Sequence, residues 1–424
     1  MIERCLWTDA APHPTRAVGD LPEHADVVVV GAGYTGLAAA RALARRGASV
    51  VVLERHVIGW GASGRNGGFV LPGYKPDIEL LARKLGLDAA RRLFRLSLEA
   101  VAYLEALVAD EKIGCDLDRS GGVTLAARPA HLRALAKSSA FLRRELNYET
   151  TVLSATELVA ELGSSRYQGG LLDPGAASLH PARYVQGLAA AAERAGARII
   201  QGAEVTRIRS EGAAPRVSLV EISRGVVRAG EVLVATNGYT GAAFPRLRRR
   251  VVPVGSYLIA TRPLDEALAA RLIPRGRVLS DTKNLLYYFR LSPDRRMVFG
   301  GRAAFTPTPI SRSAEILARA MVEVFPELAT TEIEYAWGGQ VAFALDQMPH
   351  AGRIGGLHYA MGYAGHGVAM STWLGARVGE KLAGGAELPE ITGPLRAVPF
   401  YGGCPWFLPL VGGYYRFRDW ISRV

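Results

Sequence analysis

Cysteine is scarce in this chain. Cys5, Cys115 and Cys404 stand far apart, and no CxxC occurs. That excludes a disulfide scaffold and a structural zinc site, no metal is expected, and a reducing, cytoplasmic compartment fits. Lysine is nearly as rare: 51 basic residues include only six Lys, set against 39 acidic ones for a net charge of +12. The densest basic run is Arg246 to Arg250, and no basic region interleaves with aromatics. A nucleic-acid partner is therefore not expected. No apolar stretch reaches the ~18–20 residues needed to span a bilayer. The opening MIERCLWTDAAPHPTR has no apolar core of a secretory signal.

What is present is an ordinary globular balance, 49% hydrophobic and 21% charged, over 424 residues. That rules out disorder as the main state and predicts about two domains. The 48 glycines cluster instead of repeating. Asp26 to Val30 reads as a strand buried on both faces, running into Gly31-Ala-Gly-Tyr-Thr-Gly36. A helix over 37–46 stops at Gly47, and Val50 to Leu53 is a second strand closed by Glu54. This is a short βαβ unit carrying GxGxxG in its full context of strand, glycines, helix, strand and acid. Gly31 permits the tight turn, Gly33 lets the backbone approach a pyrophosphate, and Gly36 brings helix close to strand. Glu54 suits ribose hydroxyls and repels a 2′-phosphate.

Further along, 60–73 reads as a Gly-rich loop, and 88–112, 129–147, 182–195 and 313–325 as helices. Ser154 with Glu157 reads as a capping box. Strands are expected at 198–209, 217–222, 226–235, through much of 251–301, and at 333–337 and 358–361. Gly362 to Gly367 opens a helix to about Leu382. The expected fold class is α/β: a doubly wound Rossmann-type domain with an inserted substrate domain of mixed β-sheet plus helices. The predicted division is an extended arm over 1–24, a discontinuous nucleotide domain from 25–80, 150–240 and 336–398, a substrate domain from 81–149 and 241–335, and a tail from 399. No second dinucleotide fingerprint and no CxxxxC pair is visible. A single dinucleotide reduced and reoxidised in place, as FAD is, accounts for this. The loop Gly61-Ala62-Ser63-Gly64-Arg65-Asn66-Gly67-Gly68 can run beside a pyrophosphate toward the isoalloxazine. A helix start at Gly365-His366-Gly367 can stabilise the reduced ring.

With these residues in view, the chain resembles the FAD-dependent D-amino-acid oxidase superfamily, which also holds glycine and sarcosine oxidases. It is most similar to the gamma-glutamylputrescine oxidoreductase branch, through DVVVVGAGYTGLAAARALARRGASVVVLE, GWGASGRNGG and GYAGHGVAM. The resemblance implies FAD and amine oxidation: hydride passes from a C–H beside nitrogen to flavin N5, and the imine hydrolyses. It implies oxygen as acceptor with peroxide released. An amine dehydrogenase feeding a quinone or carrier, and a flavin-binding accessory subunit, stay open. The cofactor residues implied are Gly31, Gly33, Tyr34, Thr35, Gly36, Glu54 and Arg55. Ala62, Ser63, Gly64, Arg65, Asn66, Gly67 and Gly68 follow in the early loop. Val205 is the adenine contact, Thr236 and Asn237 return to the dinucleotide, and Gly365, His366, Gly367 and Val368 meet the flavin edge. Relatives attach flavin through a late Cys or an early-loop His. Trp337 to Phe343 has no Cys and the loop carries Arg65, so non-covalent FAD is expected. Relatives also place an oxygen-assisting Lys on an inner strand, where Met297 to Arg302 has none.

Candidates to touch a small-molecule amine are His366, Arg302, Tyr257 and Tyr288, with Tyr287 and Trp337 as further wall residues; Lys283 is a candidate oxygen-activating charge. His350 reads as structural. Tyr287 and Tyr288 face opposite ways on a strand, so at most one points inward. The aromatic tail is a candidate for a peripheral membrane or subunit contact.

Overall fold

The computed structural model describes residues 1–12, 20–211, 217–301, 308–385, 387–388, 391 and 393–421. Two eight-stranded sheets organise them. In the first, the strand His24–Val30 lies between Val50–Leu53 and Gly225–Val234, parallel to both. Val27 and Val29 point into one core and Val28 and Val30 into another. Both faces are covered, so the four-valine run is unbroken instead of alternating with polar residues. Arg198–Ile200 extends this sheet beyond Val50–Leu53, and Leu357–Met361 extends it beyond Gly225–Val234. The antiparallel pair Val205–Glu211 and Val217–Ile222 continues from Gly225–Val234.

The second sheet runs Ile333–Phe343, Val252–Thr261, Met297–Gly301, Tyr287–Leu291, Val278–Asp281, Gly122–Leu125, Gly169–Asp173 and Thr151–Ser154. It is antiparallel except where Val278–Asp281 pairs with Gly122–Leu125. Its far side packs on the helix Ile310–Val324 through Leu317, Met321 and Val324. Dividing the chain by sheet splits the interval 150–240: Thr151–Ser154 and Gly169–Asp173 join the second sheet, and the later strands join the first. The helix Leu87–Asp110 packs its buried face, Leu93, Val101 and Leu104 among it, against the first core. Ser154 and Glu157 form the capping box read from the sequence.

Two glycine-bearing helices meet at the nucleotide end. Tyr34–Ala44 begins at Gly33, and a Cβ on Gly36 would overlap the carbonyl oxygen of Gly31. Val368–Leu382 crosses it where Gly375 lies on the Thr35 carbonyl and Gly379 on that of Ala39. Glycine at these positions lets backbone touch backbone.

The N-terminal segment differs from the extended arm expected. Leu6–Ala10 is a short helix that buries Leu6 and Trp7, and Ile2 bridges to Tyr335. Burial against Trp337, Leu258 and Ala182 compensates for weak local propensity. At the other end, Leu408–Ile421 is helical.

Replacing Gly375 with Ala should lower stability by about 1–3 kcal/mol through overpacking. Helix propensity alone would raise it by up to about 1 kcal/mol. The sign of the shift in urea midpoint separates the two, and a stabilised variant would refute the close-contact account.

Candidate active site

A cavity of about 1200 Å³ opens between the sheets, walled by segments far apart in the chain. One end is built on the first βαβ unit. Gly31 has φ +104°, and a Cβ there would press on the Ala235 carbonyl at 3.2 Å. The helix start therefore faces the cavity with no Cβ from Gly31 or Gly33 in front of it, which suits an anion. The Glu54 carboxylate accepts from Ala32 N–H at 2.9 Å and, through its other oxygen, from His56 N–H at 2.9 Å. These bonds fix its direction and leave lone pairs for ribose hydroxyls. Val205 and Arg55 border the same end, with Arg55 3.4 Å from Glu204.

The early loop forms a wall. Ser63 Oγ accepts from Tyr34 N–H at 3.0 Å. Asn66 acts as a brace: its amide donates to Ala62 O, Ser63 O and Tyr34 Oη, and its oxygen accepts from Gly68 N–H. Arg65 donates to the carbonyls of Trp60 at 2.7 Å and Gly338 at 3.3 Å, and its guanidinium lies 4.7 Å from the Trp60 ring centre. Its hydrogen-bond partners are neutral, so its charge is available to an anion in the cavity.

The other end is closed by the turn 362–367, where Gly362, Ala364 and Gly365 have φ of +92°, +52° and +96°. Asn237 Oδ1 accepts from Gly362 N–H at 2.9 Å, tying the turn to the strand end after Val234. Tyr363 and Thr35 share a 2.8 Å hydroxyl bond. No side chain caps the helix that starts at Val368. His366 lines the cavity, and its Nδ1 is buried without a hydrogen-bond partner in the protein. Burial, assisted by the Lys75 charge, pushes its pKa down from 6.5 to about 3, so the imidazole is neutral at physiological pH.

Opposite stand Tyr288, with its hydroxyl 3.0 Å from Ser256 Oγ, and Phe69, edge-on to the Tyr288 ring. Beyond them Asp281 is 2.9 Å from Lys283 Nζ, which also lies 3.7 Å from the Tyr287 ring centre. Burial raises the Asp281 pKa, while Lys283 and the backbone N–H of Tyr287 act to lower it. His131 Nδ1 is 2.6 Å from Thr282 Oγ1.

Of the residues singled out from sequence, Gly31, Gly33, Tyr34, Thr35, Glu54, Arg55, Ala62, Ser63, Arg65, Asn66, Gly67 and Val205 line the cavity. So do Thr236, Asn237, Gly365, His366, Gly367, Val368, Tyr288 and Lys283. Gly36, Gly64 and Gly68 lie behind it, packed on the carbonyls of Gly31, Gly59 and Leu179. Tyr257 is outside the lining, its hydroxyl bonded to the Thr308 backbone at 3.2 Å. Trp337 and Tyr287 are also outside; Trp337 Nε1 donates to Arg65 O. Arg302 lies outside the described residues. His350 bonds Asp346 and the Gly393 carbonyl. Sequence reasoning missed Trp60, Tyr239, Asp281 and His131. Trp60 was readable as an aromatic inside the Gly-rich loop and Tyr239 as a near neighbour of Asn237; Asp281 and His131 come to the cavity through contacts between segments far apart in the chain. Among the described residues no His, Cys, Asp and Glu cluster could hold a metal.

Single ligand pockets run to about 300–1,000 Å³, so this volume has room for a dinucleotide and a second, smaller molecule. A family model described as "DAO: FAD dependent oxidoreductase" matches residues 26–381. The chain is 35% identical over 399 residues to a gamma-glutamylputrescine oxidoreductase of Escherichia coli, covering 93% of this chain and 92% of that one. Among solved structures, glycine oxidase from Geobacillus kaustophilus superposes with a TM-score of 0.73 at 20% identity, covering 86% of this chain and 96% of the other. L-proline dehydrogenase from P. horikoshii superposes with 0.70 at 20% identity, covering 87% and 96%.

Replacing Glu54 with Ala should weaken dinucleotide retention roughly 10–100-fold, the loss expected for charged hydrogen bonds. Cofactor per chain after dialysis measures it; wild-type retention would remove Glu54 from the site.

Proposed function

The chain belongs to the DAO family of FAD-dependent oxidoreductases, and from that premise we propose that it oxidises the C–N bond of an amine or amino acid. The observation that carries the reading is one continuous cavity joining the glycine cradle to a chamber walled by Tyr288 and His366. FAD fits the donor set. Gly31, Gly33 and the Tyr34–Ala44 helix start would take the diphosphate, with Arg65 as counter-charge. Glu54 would hold the ribose, Val205 would meet the adenine, and the loops at 63–67 and 365–367 would border the ring. When bound, FAD supplies a two-electron acceptor for hydride.

In the proposed reaction the C–H bond beside nitrogen breaks and its electron pair leaves as hydride. The nitrogen lone pair forms C=N, and the N–H proton passes to solvent. Water then adds to the imine, giving a carbonyl compound and an amine. The protein's part is to select the neutral amine and orient it. A walled chamber disfavours the ammonium form. His366, kept neutral, adds no charge beside the reacting nitrogen and offers one hydrogen bond through Nδ1. The Tyr288 and Ser256 hydroxyls supply polar contacts on the facing wall.

The cavity continues past Asp281 and Lys283 to Leu135 and Ser138 on the helix Pro129–Leu146. That length suits an amine bearing a long polar chain, like the glutamylated diamine in the bacterial relative's name. We further propose that oxygen is the acceptor and that peroxide is released. FAD is held without a covalent bond: none of the three cysteines lines the cavity, and the early loop carries Arg65 and no His.

Anaerobic mixing with an amine panel should bleach the flavin; bleaching by alcohols or hydroxy acids but by no amine would overturn the substrate class. The rate constant kcat/KM should rise with pH as the amine loses its proton. A titration of His366 near 3 contributes nothing to that limb, so His366→Asn should lower the rate without moving the inflection. A shifted inflection would assign the titration to His366. Acid precipitation should leave a colourless pellet, and yellow colour remaining on it would show a covalent link.

A further inference from the structure

We propose that the face formed by the C-terminal segment and the arginines at 246–250 docks on an anionic lipid surface. From Ala397 to Tyr415 the chain carries no Lys, Arg, Asp or Glu. The helix Leu408–Ile421 is anchored on its inner side, where Phe407, Val411 and Tyr415 pack with Val252, Val254 and Tyr401. Its outer side should be polar if water were its only neighbour. Instead Leu410 and Tyr414 on this helix are 71% and 57% exposed, and Phe400 and Trp406 in the segment before it are 95% and 62% exposed. These side chains project from the surface.

Charge beside the patch identifies the occupant. The segment is bound to the arginine run: Val398 N–H donates to the Arg249 carbonyl, Tyr401 Oη donates to Val251 O, and the Arg248 side chain lies against Gly403. Arg246 and Arg249 are exposed. Among the described residues no carboxylate pairs with Arg246, Arg248, Arg249 or Arg250, although arginines elsewhere are widely paired. Projecting aromatics beside uncompensated arginines match an interfacial anchor, with rings among the headgroups and guanidinium groups on lipid phosphates. A second copy of the chain would bring the same arginines face to face. The segment does not cross: Pro399, Pro405 and Pro409 interrupt it, and no described helix is long and apolar enough to span. The same face adjoins Gly241 and Phe244, which line the cavity just before Arg246.

Flotation of the flavin-loaded protein with vesicles tests this. Wild type should float with phosphatidylcholine vesicles that contain phosphatidylglycerol, remain behind with phosphatidylcholine alone, and release at high salt. Arg246→Gln with Arg249→Gln should weaken the partition about 30-fold, from the usual contribution of two arginines near an anionic surface. Trp406→Ser with Leu410→Ser should abolish it. Both variants should keep the flavin spectrum and amine oxidation in solution, since none of these residues lines the cavity. Failure of wild type to float, or flotation unchanged in both variants, overturns the proposal. So does a wild-type dimer in sedimentation that Trp406→Ser with Leu410→Ser converts to monomer, which would give the face to a second copy.

Discussion

Direct contact of backbone with backbone around one helix sets the rest of this architecture. Tyr34–Ala44 meets Gly31 through Gly36 at its base, and Val368–Leu382 meets it through Gly375 and Gly379. Neither approach leaves room for a side chain. The consequence is chemical: the helix start reaches the cavity with only hydrogen atoms on Gly31 and Gly33, so its dipole meets a guest with no Cβ between them. The late helix, brought against the same element, delivers the turn carrying His366 to the far end of that space. One packing rule thus positions both ends of the site.

The cavity's two ends handle charge differently. Near the cradle, Arg65 rests on neutral carbonyls and an indole ring, an arrangement that holds a cation ready for an anionic guest. Deeper in, Asp281 and Lys283 compensate one another, and His366 is kept uncharged by burial. A guest reaching that part of the cavity meets a compensated ion pair and a neutral imidazole beside the positive charge of Lys75. Such surroundings favour a neutral nucleophilic nitrogen over its protonated form.

The first βαβ unit was legible in the sequence because its signals are local. Valines buried on both faces, glycines at fixed offsets and an acid at the strand end need only the neighbouring residues to be read. The late turn was legible for the same reason. The second sheet was visible only in part: strands within 251–301 and at 333–337 were expected, while Gly122–Leu125, Gly169–Asp173 and Thr151–Ser154 were not. Its central pairing of Val278–Asp281 with Gly122–Leu125 joins segments more than a hundred residues apart, and that pairing brings Asp281 to the cavity. The alternation rule held where it was used: Tyr288 lines the cavity and Tyr287 does not. Tyr257, named from its residue type, lies outside the lining, its ring along the glycines Gly255 and Gly338 and its hydroxyl bonded to the Thr308 backbone. The short helix at Leu6–Ala10 carried no periodic signal and owes its form to the tertiary core around Trp7.

The cavity's walls arrive in a fixed order during synthesis. The trough made by residues 31–67 lacks its opposite side until 339–341 and 363–371 have left the ribosome. At about 5–20 residues per second, that wait is roughly 15–60 seconds. For that interval a nascent chain carries a glycine-floored groove with one bank missing. Closure of the cavity around a guest is thereby a late event, since both banks must be present.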